Sequence, residues 1–457
     1  MPLPALIPHR PSLKLAIEYL PLSALTLDPE NARQHKPAQV RQIAKSIQAF
    51  DFNAPILADR DGKVIAGAGR VMACKLLGRE EIPVVRLEHL SPEQARAFAI
   101  ADNRLTDTSD WNEALLAQHL KLLSGLDLTF DLEATGFSMG EIDLQIQGLD
   151  PPANNDADPQ NPANEDDPDE APVDAGPSVA RPGDLWRLGE HVVICGDALD
   201  EPTYARLMGD DRAAMIFADP PYNVPIDGHV SGKGKVRHRE FAMASGEMSE
   251  AAFIGFLVKA CRLMADFSRE GSLHLVCMDW RHILELLTAG KVAYDELLNI
   301  CVWVKPNGGM GGLYRSAHEM VAVFKHGQAK HRNNVQLGRF GRNRTNVWPY
   351  ASPNSFGRGE EADLTSQHPT PKPVAMIADA ILDVTARRDI VLDPFLGSGS
   401  TLIAADRAAR LCRGIEMDPL YVDLTIRRWQ RLTGAAAVLE DGRTFNDLAA
   451  SRLEAAA

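Results

Sequence analysis

Two consecutive prolines, Pro220 and Pro221, stand directly after the apolar run Ala214-Met215-Ile216-Phe217-Ala218 and the carboxylate of Asp219. The run reads as a buried strand. Neither proline has an N–H to give to a central ladder, so the strand has to stop at Asp219. Beyond it stands a stiff corner carrying a carboxylate, a carbonyl outside the sheet and the ring of Tyr222. Such a corner suits a flat ring that bears an amino group. Asp219 and the Pro220 carbonyl accept its two N–H bonds, and Tyr222 stacks on its face. Asp219, Pro220, Pro221 and Tyr222 are the candidate catalytic residues. Four residues alone are equally served by a proline turn with a solvated aspartate, so the rest of the chain has to decide.

A second strand-and-loop signal lies 174 residues further on. Ile390-Val391-Leu392-Asp393 runs into Pro394-Phe395-Leu396-Gly397-Ser398-Gly399-Ser400-Thr401. This reads as strand, glycine loop, helix. Glu416 closes the next apolar run, 23 residues after Asp393. That is the spacing at which a carboxylate caps a ribose in nucleoside-binding α/β folds. No Gly-Lys-Ser/Thr is present, so the loop is not a phosphate-gripping P-loop. Its free N–H groups with the Ser400 and Thr401 hydroxyls fit a cofactor with an amino-acid end. A third run, His191-Val192-Val193-Ile194-Cys195, ends in Gly196-Asp197 and puts another carboxylate at a sheet edge.

The chain of 457 residues is too long for one ordinary core. Its division is marked by 150–180, rich in Pro, Asn, Asp, Glu and Ala, with nine acidic and no basic residues. This stretch reads as a disordered linker. It also accounts for most of the net charge of −14, since without it the balance is −5. The acidic total therefore does not exclude a nucleic-acid partner; local basic patches decide that. Two are apparent. Residues 223–248 carry Lys233, Lys235, Arg237 and Arg239 among glycines and read as a mobile basic flap. Residues 325–358 carry Lys325, Lys330, Arg332, Arg339, Arg342, Arg344 and Arg358 with Phe340 and Trp348 interleaved, which points to phosphate contact. His326 and His331 have no acidic or cysteine partner at ligand spacing, and no metal site is expected. The six cysteines form no Cys-x-x-Cys pair and suit a reducing cytoplasm. No secretory signal and no apolar run long enough for a membrane span is read.

The expected organisation is a domain at 1–148, a linker at 149–180, a larger domain at 181–445 with target recognition within about 223–360, and a tail at 446–457. In the first domain, Val40, Ile43, Ala44 and Ile47 have helical spacing. Short strands at 55–58 and 63–66 flank the turn Asp61-Gly62, and Ser91-Pro92-Glu93-Gln94 is a capping-box helix start.

Asp-Pro-Pro-Tyr together with Asp-Pro-Phe-x-Gly-Ser-Gly resembles the S-adenosylmethionine-dependent DNA amino-methyltransferases. With the catalytic motif ahead of the cofactor loop, the chain resembles their permuted β group. The resemblance implies a Rossmann-like α/β fold and a double-stranded DNA substrate whose target base is flipped out, with methyl transfer to an exocyclic amine. It implies adenine N6 as the favoured acceptor, since Asp219 heads the motif, with cytosine N4 as the alternative. It further implies S-adenosylmethionine as cofactor, held by Asp393, Phe395, Gly397, Ser398, Gly399 and Ser400. Glu416 would lie at the ribose, Asp197 at the adenine, and Thr370 and Lys372 near the methionine end. No Pro-Cys pair occurs, so methylation at cytosine carbon 5 has no nucleophile.

Val64-Ile65-Ala66-Gly67-Ala68-Gly69-Arg70, with Ile100-Ala101-Asp102-Asn103-Arg104 after it, resembles the ParB-like and sulfiredoxin-like N-terminal domain. That implies a smaller α/β domain with a nucleotide at Gly67 and Arg70, where backbone approach, a helix start and a guanidinium fork favour phosphate. Only a short tail, helical over 111–124, comes after it where partition proteins carry a helix-turn-helix reader, so a complete partition protein is not indicated. A ParB-like DNA- or nucleotide-binding protein with an accessory methyltransferase domain is the second functional reading.

Overall fold

The computed structural model describes residues 15–147 except 30, 32, 108–110 and 127, and then 177–224, 246–305, 313–335, 344–350 and 372–454. The chain divides into two compact units, 1–151 and 152–457.

The first unit has a four-stranded sheet in the order β1 (Ile17–Pro21), β4 (Glu81–Arg86), β2 (Ile56–Ala58), β3 (Val64–Ala66). Its core is closed by α1 (Pro37–Phe50) and α2 (Ala68–Leu76), which contribute Ala44, Ile47, Val71 and Cys74. The α1 stripe is the one its helical spacing predicts. The helix α3 (Pro92–Asp107) starts with a reciprocal box: Gln94 N–H donates to Ser91 Oγ (3.3 Å) and Ser91 N–H to Gln94 Oε1 (3.0 Å). Two more helices, α4 (Glu113–Ser124) and α5 (Met139–Gln147), pack together and bury Ala117, Leu120, Ile142 and Ile146.

The second unit is built on a ten-stranded sheet. Its order is β11 (Val347–Pro349), β9 (Glu296–Val304), β10 (His318–Lys325), β8 (Ser268–Met278), β7 (Ala213–Ala218), β12 (Ile390–Asp393), β13 (Leu411–Glu416), β6 (His191–Cys195), β5 (Leu185–Leu188), β14 (Val438–Leu439). The five central strands, β8 to β6, are parallel, so their carboxyl ends share one edge. They are buried on both faces, which is why they read as continuous apolar runs. In β7, Met215 and Phe217 face one core and Ile216 and Ala218 the other. The first core is closed by α9 (Val374–Val384), α10 (Ser400–Arg407), α11 (Pro419–Thr433) and α12 (Phe445–Glu454). The second is closed by α6 (Glu201–Met208), α7 (Glu250–Asp266) and α8 (Ile283–Ala293). From β7 the chain moves outward to β8, and from β12 it moves the opposite way to β13. The crevice at this reversal is where a parallel α/β sheet binds ligands. Among the described residues no helix is long and apolar enough to cross a membrane.

Both ends of this unit differ from the expected boundaries. Val179 and Ala180, read as linker, are buried, and their N–H groups donate to Asp423 Oδ2 (2.7 Å) and Oδ1 (2.8 Å). The stretch read as a tail is mostly α12. Phe445 and Leu448 enter the core, and Arg452 donates to the Val179 carbonyl and to Asp184. Two apolar side chains and a buried carboxylate outweigh the local polarity that marks these stretches as peripheral. Much of the region assigned to target recognition is framework as well, since α7, β8, α8, β9 and β10 all lie within 246–325.

Candidate active site

Asp219 comes directly after the last residue of β7, and Asp393 ends the neighbouring β12. Glu416 ends β13, and Asp197 stands two residues past β6. Four parallel strands thus bring four carboxylates to one edge. Thr370 lies outside the described residues, as do most of the flap (225–245) and Arg339, Phe340, Arg342 and Arg358.

At the β7 corner, the Tyr222 hydroxyl donates to Asp219 Oδ1 (2.6 Å), and Lys372 Nζ donates to Asp219 Oδ2 (2.5 Å). Lys372, expected near the methionine end of a cofactor, therefore sits at the catalytic corner. It is buried between the Tyr222 and Trp303 rings, 5.5 and 5.9 Å from their centroids. Its ammonium also reaches Glu319 Oε2 (3.0 Å), and Glu319 Oε1 pairs with Lys305. Burial alone would lower the Lys372 ammonium, but Asp219 and Glu319 outweigh it and hold it above its usual range. Burial would likewise raise Glu319, but Lys372 and Lys305 outweigh it and hold it ionised. Tyr222 is pushed well up by burial and by the two carboxylates, so it stays a neutral donor.

Asn223, next along the chain, has φ +55°, which asparagine tolerates. Its Oδ1 accepts from Gly246 and Met248 N–H (both 3.1 Å) and its Nδ2 donates to the Met248 carbonyl (2.9 Å). Both ends of the flap are thereby tied to the corner.

The glycine loop is braced differently. Gly397 and Gly399 have φ +54° and +86°, and a Cβ on Gly399 would lie 2.7 Å from the Thr425 side chain of α11. From α11, Thr425 Oγ1 donates to the Gly397 carbonyl (3.1 Å) and buried Arg428 to the Ser398 carbonyl (2.7 Å). Ser398 and Ser400 are buried, and Phe395 is half-buried beside Phe256. The Asp393 carboxylate accepts from Phe395 N–H (2.9 Å), and burial pushes it up to about 7. Glu416 accepts from Gly397 N–H and Asp418 N–H (both 2.8 Å) and is also raised by its surroundings. Asp197 Oδ1 accepts from Leu199 N–H (2.8 Å).

The residues that directly follow β10 are not at this edge. The strand β10 runs antiparallel to β8 and carries the chain from His318 at the catalytic edge to Lys325 at the opposite one, roughly 23 Å away at about 3.3 Å per residue. Lys325, His326, Lys330 and His331 lie there. Arg344 is committed to Asp379 (2.9 Å) and Asp383 (2.8 Å), and Trp348 is buried in β11. Arg344 and Trp348 thus have framework roles, because carboxylates of α9 and the apolar core take them first.

Three family models match the chain. One, described as DNA methylase and covering N6 and N4 methyltransferases, matches residues 213–427. The chain carries an N6/N4 DNA methylase domain. It carries a ParB N-terminal domain, matched at 11–104, and a ParB-methyltransferase HTH domain, matched at 114–182. The last match overturns the expectation of a mere tail after the ParB-like domain: α4 and α5 lie in that segment. Among relatives, the type II methyltransferase M2.MboI of Moraxella bovis is 27% identical over 49% of this chain and 83% of its own. The ParB-like nuclease domain-containing protein YnaK of Escherichia coli is 45% identical over 18% of this chain and 95% of its own. A crystal structure of an M1.HpyAVI–SAM complex is 20% identical, covers 52% of this chain and 98% of that one, and has a TM-score of 0.37. The methylase acts on DNA with S-adenosylmethionine as methyl donor.

Sequence reasoning missed Glu319, Lys305, Asn223 and Arg428 as parts of the site. Glu319 left one signal, a carboxylate inside the otherwise apolar run Glu319-Met320-Val321-Ala322-Val323-Phe324.

Proposed function

We propose that this chain is a site-specific adenine methyltransferase that acts at N6 of a base flipped out of duplex DNA. The observation that carries this is the pairing of the Asp219 corner with the glycine loop across one strand boundary, β7 against β12. The amine acceptor and the methyl donor then share one crevice. The donor set fits S-adenosylmethionine: carboxylates at the ends of β12, β13 and β6 suit a ligand that brings hydroxyls, amino groups and a cation, and repel phosphate. Asp393, Phe395, Gly397, Ser398, Gly399 and Ser400 form the loop around it, Glu416 takes the ribose hydroxyls and Asp197 faces the adenine. When bound, S-adenosylmethionine supplies a methyl group already activated on a sulfonium.

Asp219 and the Pro220 carbonyl accept the two N–H bonds of the target amine. They thereby aim its nitrogen lone pair at the methyl, while Tyr222 covers the base. The new N–C bond forms as the S–C bond breaks, and the proton leaves the nitrogen afterwards, since Asp219 is too weak a base to take it beforehand. Positioning supplies most of the rate. Flipping costs a few kcal/mol, repaid by the corner's contacts. Adenine is favoured over cytosine because the motif opens with Asp219 rather than with serine. Nucleoside mass spectrometry of amplified, methyl-free genomic DNA treated with the enzyme should find N6-methyladenine, and N4-methylcytosine alone overturns the assignment.

The first unit, with its HTH segment, serves DNA engagement and supplies no atom to methyl transfer. Gly67 and Arg70 are its proposed nucleotide contacts. A chain beginning at residue 177 keeps the Val179 and Ala180 bonds to Asp423, so it should fold, bind cofactor and methylate at saturating DNA, with the loss confined to DNA affinity. A folded, cofactor-bound truncation without turnover would mean that the first unit completes the site.

A further inference from the structure

Glu319 lies on β10, on neither motif, yet it occupies the back of the catalytic corner. An ammonium has three donors, and those of Lys372 find Asp219 Oδ2 at 2.5 Å, Glu319 Oε2 at 3.0 Å and the Tyr222 hydroxyl at 3.2 Å. The Tyr222 hydroxyl is itself 3.2 Å from Glu319 Oε2. Glu319 thus touches both groups that hold Asp219, and Lys305 closes its far side. Glu319 is 6% exposed and Lys372 is also 6%, so water does not substitute for any of these contacts.

The arrangement has a chemical consequence. Asp219, Glu319, Lys305 and Lys372 sum to zero charge. Methyl transfer moves a positive charge from sulfur to the target nitrogen, next to Asp219. With Glu319 neutral, the cluster would carry a net positive charge where that charge arrives. Lys372, left with a free donor, would turn further onto Asp219 and occupy the carboxylate the amine needs. A buried ion cluster of this kind is weak evidence for stability, since apolar residues of similar volume often serve as well. The residues that follow Glu319 on β10, Met320 to Phe324, are apolar.

We propose that Glu319 is a positioning residue for methyl transfer: it shares Lys372 and the Tyr222 hydroxyl with Asp219, so that Asp219 keeps a lone pair aimed at the target amine. This rests on the reading of Asp219 as the residue that grips that amine. The test compares Glu319→Gln, Glu319→Asp, Glu319→Gln/Lys305→Met and Asp219→Asn in the full chain. The readouts are single-turnover transfer of tritiated methyl to methyl-free genomic DNA, cofactor affinity by calorimetry, DNA affinity and circular dichroism. Glu319→Gln should lower the single-turnover rate about 100-fold, the scale of a small misplacement of a reacting group, with both affinities within about twofold. Glu319→Asp should regain part of the rate. The double variant removes the surplus cation but not the free donor of Lys372, so it should keep the fold and regain only the charge-balance part of the loss, with the rate still well below wild type. A wild-type rate in Glu319→Gln beside a dead Asp219→Asn overturns this inference and spares the reading of Asp219. Wild-type rates in both overturn that reading. Recovery of the full rate in the double variant, unfolding of both Glu319 variants, or a loss of cofactor affinity that accounts for the deficit makes Glu319 structural and overturns the proposal.

Discussion

The two halves of the crevice hold their carboxylates by opposite means. At the glycine loop, Asp393 and Glu416 are met by backbone N–H groups within a few residues of themselves or just across one strand boundary, joined at Asp393 by the neutral Thr401 hydroxyl. At the β7 corner, Asp219 is met by side chains, and the network behind it draws on the ends of β9 and β10 and the start of α9. Backbone donors cannot leave and carry no net charge, so the loop can keep its carboxylates only partly ionised. Lysines bring full charges, so the corner keeps Glu319 ionised and its geometry depends on distant segments. The loop is thus a cradle for a ligand with its own donors, and the corner a device for holding one carboxylate still.

The contrast can be broken most severely at the corner. Asp219→Ala should reduce methyl transfer by at least about a thousandfold, the scale of losing a transition-state contact, while cofactor affinity stays within a few-fold of wild type. Scintillation counting of tritiated methyl beside calorimetry measures both, and appreciable residual turnover would remove Asp219 from the chemistry. At the loop the split should reverse. Gly397→Val forces a branched side chain onto φ +54° and should weaken cofactor binding about 100-fold or more, by strain and by lost space. Unchanged affinity in a folded Gly397→Val protein would place the cofactor elsewhere.

A smaller effect separates the two kinds of acid by pH. Asp393 is raised to about 7 by burial, so its contribution to stability is full below its ordinary value near 4 and is lost as pH rises through 7. Asp393→Asn cannot ionise. Its unfolding free energy relative to wild type should therefore shift in its favour between pH 4 and 7, by up to about 4 kcal/mol. Denaturant titrations across that range test this, and a flat difference would mean that Asp393 ionises normally. The smallest effect lies outside the crevice. Asp423→Ala should cost about 1–3 kcal/mol by leaving the Val179 and Ala180 N–H groups buried without an acceptor. A denaturation midpoint equal to wild type would show that water replaces it.

This contrast also explains what the sequence made legible. The loop is local: an apolar run, a glycine turn, and a carboxylate one strand later all lie within 390–416 and are visible as spacing. The strand that ends at Asp219 is equally plain, because two prolines stop it. The partners of Asp219 come from positions up to 153 residues away, and only the strand order makes them neighbours. Lys372 was visible as a residue but not as a neighbour of Asp219. For the same reason composition did not show that β10 carries Lys325 to the edge opposite Asp219. Val179 and Ala180 look like the end of a polar tether, and only Asp423, 243 residues later, claims them.

The Asn223 clamp carries an implication for how such a protein diversifies. One side chain joins residue 223 to residues 246 and 248, so the chain between them is an insertion whose entry and exit are already fixed. Closing a longer or shorter insertion changes the entropy only with the logarithm of its length, about 0.6 kcal/mol for a doubling. A lineage could exchange that insertion wholesale and leave Asp219 where it stands. The clamp makes the stretch between residues 223 and 246 a replaceable cassette on an unaltered catalytic frame.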